Sequence, residues 1–326
     1  MKRKYLNNWI SSLRFKFSKF GLEKYSAIEL EGVKSKYNWL IENGNFRKTS
    51  FTGEGEKVAV LDTGVDPDHE EIKDRVHPTC FIEDCNDPIG HYDYSNHGTF
   101  MIGEIISENF GVAPKAKCIS IKVLHGDGRD GNLHTFEKNV VSAIQFACLN
   151  KCGVISMSFG SPHKSKIVYD ALETATELGT IPIAAAGNEG LRGSPYKSYP
   201  ASFENCISVA SANKHGLPSW YSTSGKEGNR LEQPEVAIAS QNYHHGILSD
   251  NKYGAMTGTS ISCPIVAGVA LLWLQKMREE NTMPKGKDVL KSFREWLRIN
   301  SHDTNRNGWD NELGFGVLKL DPWKSL

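Results

Sequence analysis

The chain has 326 residues, with 38 basic and 38 acidic side chains, so its formal net charge is zero. That balance excludes a nucleic-acid or membrane role driven by bulk charge. Hydrophobic content of 39% and aromatic content of 10% are those of an ordinary globular protein, and no stretch rich in Pro, Gly and Ser divides the chain, so one large α/β domain is expected.

In chain order, the first segment stands apart. Leu6, Trp9, Ile10, Leu13, Phe17 and Phe20 fall at helical spacing among Arg14, Lys16 and Lys19. Residues 1–25 are therefore expected to be an amphipathic basic extension ahead of a domain spanning 26–326. Its simplest form is a helix docked on the domain; a membrane-surface helix and a regulatory segment over the functional site are the alternatives. The opening Met1-Lys2-Arg3-Lys4 looks like the charged start of a signal peptide, but the residues after it lack an apolar stretch and a small-residue cleavage site. No segment carries the roughly 18 continuous apolar residues of a membrane span. A cytoplasmic protein without a membrane span or nucleic-acid partner is expected, its oligomeric state undetermined. Seven cysteines, an odd number without a paired zinc spacing, read as reduced thiols. A Cys80–Cys85 disulfide belongs only to an oxidising compartment.

From Gly53 onward, short β-branched runs alternate with periodic stretches. Strands are predicted at 58–61, 117–123, 153–158 and 181–186, with helices at 98–107, 133–149 and 166–178 between them. Further strands fall at 206–210 and 235–238. The stretch after Ser260 is nearly all apolar to Leu274, which predicts a helix through the core. A last helix is predicted at 287–299. This alternation describes a mostly parallel sheet with helices on both faces, and such sheets bind ligands beyond the C-terminal ends of their strands.

Three polar residues sit at the ends of these elements. Asp62 ends the run Val58 to Leu61, His97 precedes Gly98-Thr99 where a helix begins, and Ser260 lies between Gly258-Thr259 and the core helix. Asp, His, Ser is one of the known chain orders of the serine-nucleophile triad. A serine hydroxyl needs a neighbouring base to take its proton as it attacks. Imidazole titrates near neutral pH, and a buried carboxylate holds it in one tautomer. The helix after Ser260 supplies backbone N–H groups for a developing oxyanion. Asn188, in AAAGNEG directly after a strand, adds an uncharged amide donor to that hole.

Together, KVAVLDTGVDPDHEEI, HGTFMIGEI, GVAPKAKCISIKVL, VISMSFGSP, AAAGNEG and YGAMTGTSISCPIVAG resemble the blocks of the subtilisin-like serine proteases, in the family's order, from about Gly53 to Asp321. LDTGVD, ISMSFG and KYGAMTGTS look closest to the intracellular subtilisins. The resemblance implies a three-layer α/β sandwich and a serine endopeptidase using Asp62, His97, Ser260 and Asn188. It also implies a polypeptide substrate bound as an extended strand between Gly128-Arg129 and Ser158-Phe159-Gly160. Two other readings use the same groove: a catalytically silent peptide-binding protein, and a peptide ligase or macrocyclase.

The sequence departs from the family pattern in places. Ile261 stands where Met is usual, and Cys263 and Ile265 replace commoner Ala and His. The loop that holds a structural Ca²⁺ in many relatives is too short here for its ligands to be carried over, although Glu71 stands at a former ligand position. A second Ca²⁺ candidate is Asp303, Asn305, Asn307 and Asp310, which resembles the front of an EF-hand loop. Its twelfth position is Gly314 rather than Glu, so a structural turn is the stronger expectation. No cofactor is needed for the chemistry.

Overall fold

The computed structural model describes residues 15–18, 44–82, 90–125, 132–190, 197–225, 234–241 and 244–320. The elements in chain order are β1 (Phe15–Ser18), β2 (Lys57–Asp62), β3 (Val76–Cys80), α1 (His97–Ile106), β4 (Lys117–Lys122), β5 (Asn132–Thr135), α2 (Glu137–Leu149), β6 (Val154–Met157), α3 (Lys166–Glu177), β7 (Ile181–Ala185), β8 (Ile207–Ser211) and β9 (Val236–Ile238). They continue as β10 (His244–Leu248), β11 (Lys252–Met256), α4 (Thr259–Glu279), α5 (Asp288–Asn300), β12 (Ser301–His302) and β13 (Val317–Leu318).

Nine strands form the central sheet in the order β12-β13-β9-β8-β7-β6-β2-β4-β3. All its pairings are parallel except β12 with β13. Successive side chains of a strand point to opposite faces, and β2 shows the consequence. Val58 and Val60 join the core packed by α1, α4 and α5, whereas Ala59 and Leu61 join the core packed by α2 and α3. The fold is therefore a three-layer α/β sandwich, helices over both faces of a mostly parallel sheet. By length and composition α4 is apolar enough to cross a membrane, but it lies buried in the first of these cores.

The structure corrects several expectations. Residues 15–18 are a strand, paired antiparallel with β5, rather than part of a helix. Phe15 and Phe17 alternate with Lys16 and Ser18, which is a strand's period and fits pairing with an open partner. The rest of the expected amphipathic helix lies outside the described residues. The helix predicted over 133–149 starts only at Glu137, because its first residues are taken into β5. Edge strand β3 was not foreseen; Pro78 obscures it, and an edge is where a strand tolerates proline. The β10–β11 hairpin was also missed. Its turn residues Asp250 and Asn251 both adopt positive φ, so Ser249-Asp250-Asn251 was the available signal.

Candidate active site

Asp62 is the last residue of β2, and His97 is the first of α1. His97 Nδ1 lies 2.7 Å from Asp62 Oδ1, with both residues buried. Asp62 Oδ1 also accepts from the Thr63 backbone N–H at 2.7 Å. The contact places the imidazole proton on Nδ1 and leaves the lone pair on Nε2.

The start of α1 is held by groups that sequence reasoning did not single out. The first N–H groups of a helix lack intrahelical partners. Here His97 N donates to Ser95 Oγ (3.3 Å), Gly98 N to Thr63 Oγ1 (2.9 Å) and Thr99 N to Asp93 Oδ2 (2.8 Å). Asp93 is fully buried, and its Oδ1 accepts from Thr63 Oγ1 at 2.8 Å and from Ser95 N at 3.0 Å. Burial pushes the Asp93 carboxyl up, against the pull of its Thr99 and Thr63 donors. Asp93 thus ties Thr63, which follows the carboxylate, to the helix that carries the imidazole. An acid four residues before a helix-opening His was the signal for it.

Ser260 is the second residue of α4. The Ncap position is Gly258 at φ +143°, a conformation that a side chain would strain. The Asn188 amide oxygen accepts from Thr259 N (2.9 Å) and Thr259 Oγ1 (2.8 Å). This fixes the amide with Nδ2 turned away from Thr259. Among the described residues, neither Asn188 Nδ2 nor the Ser260 N–H makes a hydrogen bond. Two donors at one helix N-terminus are therefore open to an anionic oxygen.

Pro264 lies inside α4 and lacks the N–H that would bond the carbonyl four residues earlier, that of Ser260. Ser158 Oγ donates to Ser260 O instead, at 2.9 Å. In return Ser260 Oγ donates to Ser158 O at 3.3 Å. The helix break is thus repaired from the segment after β6, and the two serines are locked to each other. Cys263, one turn beyond Ser260, is buried near enough to Asp62 to feel its charge, and α1 packs along α4. Asp62 ends β2, and Ser158 and Asn188 follow the C-terminal ends of β6 and β7.

Of the expected substrate residues, Ser158, Phe159 and Gly160 follow β6, and Ser161 bridges Tyr199 in antiparallel fashion. Gly128 and Arg129 lie outside the described residues. The expected Ca²⁺ positions are engaged in hydrogen bonds within their own segment. Asn305 turns its amide nitrogen toward Asp310 Oδ2 (3.3 Å) and Glu312 Oε2 (3.0 Å). Asp310 Oδ1 accepts the backbone N–H groups of Glu312 and Leu313, each at 2.8 Å. The 303–314 segment is thereby a self-satisfied turn. Burial works to raise Glu71, but donors from Asn109 and Ser107 outweigh it and hold the carboxyl below its ordinary value. The carbonyls of Ser107, Glu108, Asn109 and Gly111 beside it accept from the Arg47 guanidinium at 2.7–3.2 Å. A guanidinium supplies the positive charge to that carbonyl ring. Among the described residues no group of three or more His, Cys, Asp or Glu side chains is placed to hold a metal.

Comparison with known proteins matches residues 53–316 to the model of the subtilase family. Subtilisin E of Bacillus subtilis (strain 168) is 34% identical over 232 residues, 69% of this chain and 57% of that protein. The major intracellular serine protease of Bacillus subtilis (strain 168) is 32% identical over 244 residues, 72% of each. The chain thus spans little more than half the length of the subtilisins it matches first. Among solved structures, an S41 psychrophilic protease superposes with a TM-score of 0.72 at 26% identity, covering 86% of this chain and 97% of that one.

Proposed function

Because the chain belongs to the subtilase family, we propose that it is a serine endopeptidase that hydrolyses peptide bonds with Asp62, His97 and Ser260 as its triad. The observation that carries this reading is the buried 2.7 Å contact between His97 Nδ1 and Asp62 Oδ1. It gives the imidazole the tautomer and the charge partner that a general base requires.

The mechanism follows from these groups. A polypeptide lies extended along Ser158 to Gly160, and Gly128 and Arg129, which the family resemblance adds to this contact, lie outside the described residues. The Ser260 hydroxyl leaves the Ser158 carbonyl, gives its proton to His97 Nε2, and its oxygen bonds the scissile carbonyl carbon. The carbonyl electron pair moves to oxygen, which takes hydrogen bonds from Ser260 N–H and Asn188 Nδ2. Asp62 stabilises the imidazolium. His97 then protonates the leaving amine as the C–N bond breaks, and water attacks the acyl-enzyme by the same path. No metal or cofactor enters these steps. Four filled positions favour hydrolysis over a silent peptide-binding role.

Residues 1–25 are proposed to be an extension separate from the peptidase domain at 26–326. Its β1 strand covers β5, which begins directly after the segment 126–131 expected to contact substrate. A cytoplasmic location is part of the same proposal. It is supported by the likeness to an intracellular protease.

The test is covalent labelling. A serine-directed phosphonate should modify Ser260, labelling should vanish in Ser260→Ala, and it should fall sharply in His97→Ala. Peptide hydrolysis should drop by about four to six orders of magnitude in Ser260→Ala. Undiminished hydrolysis by that variant would sink the assignment.

A further inference from the structure

Glu104 is the single carboxylate on the helix that carries His97, and the chemistry above makes no use of it. It lies in the last turn of α1 with no solvent exposure. Its Oε2 meets His244 Nε2 at 2.7 Å, and its Oε1 has no hydrogen-bond partner. His244 is itself buried, at the first position of β10. Burial pushes the Glu104 carboxyl up, opposed by the imidazole beside it.

The surroundings are shaped for this contact. A Cβ at Gly246 would come within 2.8 Å of both Glu104 Oε1 and the Phe100 ring. Glycine there lets the hairpin strand close onto α1. At the other end of the same strand, Ser249 N donates to Asn96 Oδ1 (2.9 Å) and Ser249 Oγ donates to Asp93 O (2.8 Å). Ser249 Oγ also lies 3.3 Å from Thr99 Oγ1. The hairpin therefore grips α1 twice, beside His97 and again at Glu104, two turns further along.

The hairpin leads straight to the nucleophile. His244 is paired across the ladder with Met256, and only Thr257, Gly258 and Thr259 separate Met256 from Ser260. One rigid ribbon thus connects the helix of the proposed base to the loop of the proposed nucleophile. We propose that Glu104 and His244 are positioning residues, a directional clamp that sets the His97 helix in register with the Ser260 loop. The proposal rests on the serine endopeptidase reading.

A buried ion pair is weak as a source of stability, because desolvating both groups offsets their attraction, and an apolar pair of similar volume often does as well. What an apolar pair lacks is direction. A displacement of about 1 Å between reacting groups lowers a rate by up to roughly a hundredfold. Stability and alignment therefore separate in the test.

The experiment compares wild type with Glu104→Gln, Glu104→Ala and the double variant Glu104→Leu/His244→Leu. Thermal midpoints are measured, active sites are titrated with the phosphonate, and kcat and KM on a chromogenic peptide are expressed per titrated site. The Leu pair should keep its thermal midpoint while kcat per site falls about tenfold with KM unchanged. Glu104→Gln, whose amide still bonds an imidazole, should stay within about threefold of wild type, and Glu104→Ala should fall with the Leu pair. Wild-type kcat per titrated site in the Leu pair overturns the proposal. If the Leu pair does not fold, equal values for Glu104→Gln and Glu104→Ala overturn it instead. A wild type that takes no label at Ser260 removes the endopeptidase reading and the clamp with it; a labelled wild type with indifferent variants removes the clamp alone.

Discussion

The Ser158–Ser260 lock makes a prediction that separates a side-chain brace from ordinary packing. Pro264 withholds the N–H that would cap the Ser260 carbonyl, and Ser158 Oγ replaces it at 2.9 Å. Ser158→Ala removes that donor and leaves a partly buried carbonyl unpaired, which costs about 1–2 kcal/mol. For a chain of this size that lowers the thermal midpoint by roughly 2–4 °C per kcal/mol, or somewhat less. Pro264→Ala returns a helical N–H to the same oxygen. In that background the cost of Ser158→Ala should shrink to under about 0.5 kcal/mol, because the carbonyl again has a partner. The four proteins are compared by urea unfolding in a Ser260→Ala background, which prevents self-digestion and leaves the Ser260 backbone carbonyl intact. Equal penalties for Ser158→Ala with and without Pro264 would refute the argument. They would mean that the Ser158 hydroxyl acts through packing, or that residue 264 does not govern the carbonyl.

Two further outcomes are expected. Burial pushes the Cys263 thiol up to about 11, so near neutral pH it remains the unreactive thiol, and the thiolate appears only as pH rises toward that value. Native alkylation by iodoacetamide at pH 8 should leave hydrolysis unchanged, and with thiols protected so should peroxide, since Ile261 offers no thioether beside Ser260; activity loss that mass spectrometry traces to Cys263 at pH 8 would contradict this. Deleting residues 2–22 removes β1 and uncovers the β5 edge, so KM for an extended peptide should fall with kcat unchanged; an unchanged KM with a lower thermal midpoint would make the ribbon purely structural.

The candidate site was legible in the sequence because the residues proposed for its chemistry stand at element ends. Asp62, His97, Asn188 and Ser260 each adjoin a strand or helix whose apolar pattern is clear, so a parallel sheet places them near one edge. The central strands were legible for the same reason. The failures lie where tertiary pairing overrides a local pattern. Phe17 fits both the helical spacing with Leu13 and Phe20 and the strand alternation with Phe15, and the partner strand that selects between them is more than a hundred residues away. The β10–β11 hairpin reads poorly because His244, His245, Gly246 and Gly254 interrupt its apolar alternation.

Those same residues explain why the clamp on α1 was invisible. Glu104 in HGTFMIGEII reads as a surface position on an amphipathic helix, and His244 reads as loop. Only in three dimensions does Gly246 make room for the carboxylate, and only then does an imidazole meet it at 2.7 Å. The Ser260 carbonyl has the same character. Pro264 announces a missing hydrogen bond in the sequence, but nothing local says that Ser158, 102 residues away, repairs it. Residues that carry charge or electrons in a reaction must be of a particular type and so leave a motif. Residues that set the distance between them need only meet across the fold, and a polar side chain at an unexpectedly buried position is the trace they leave.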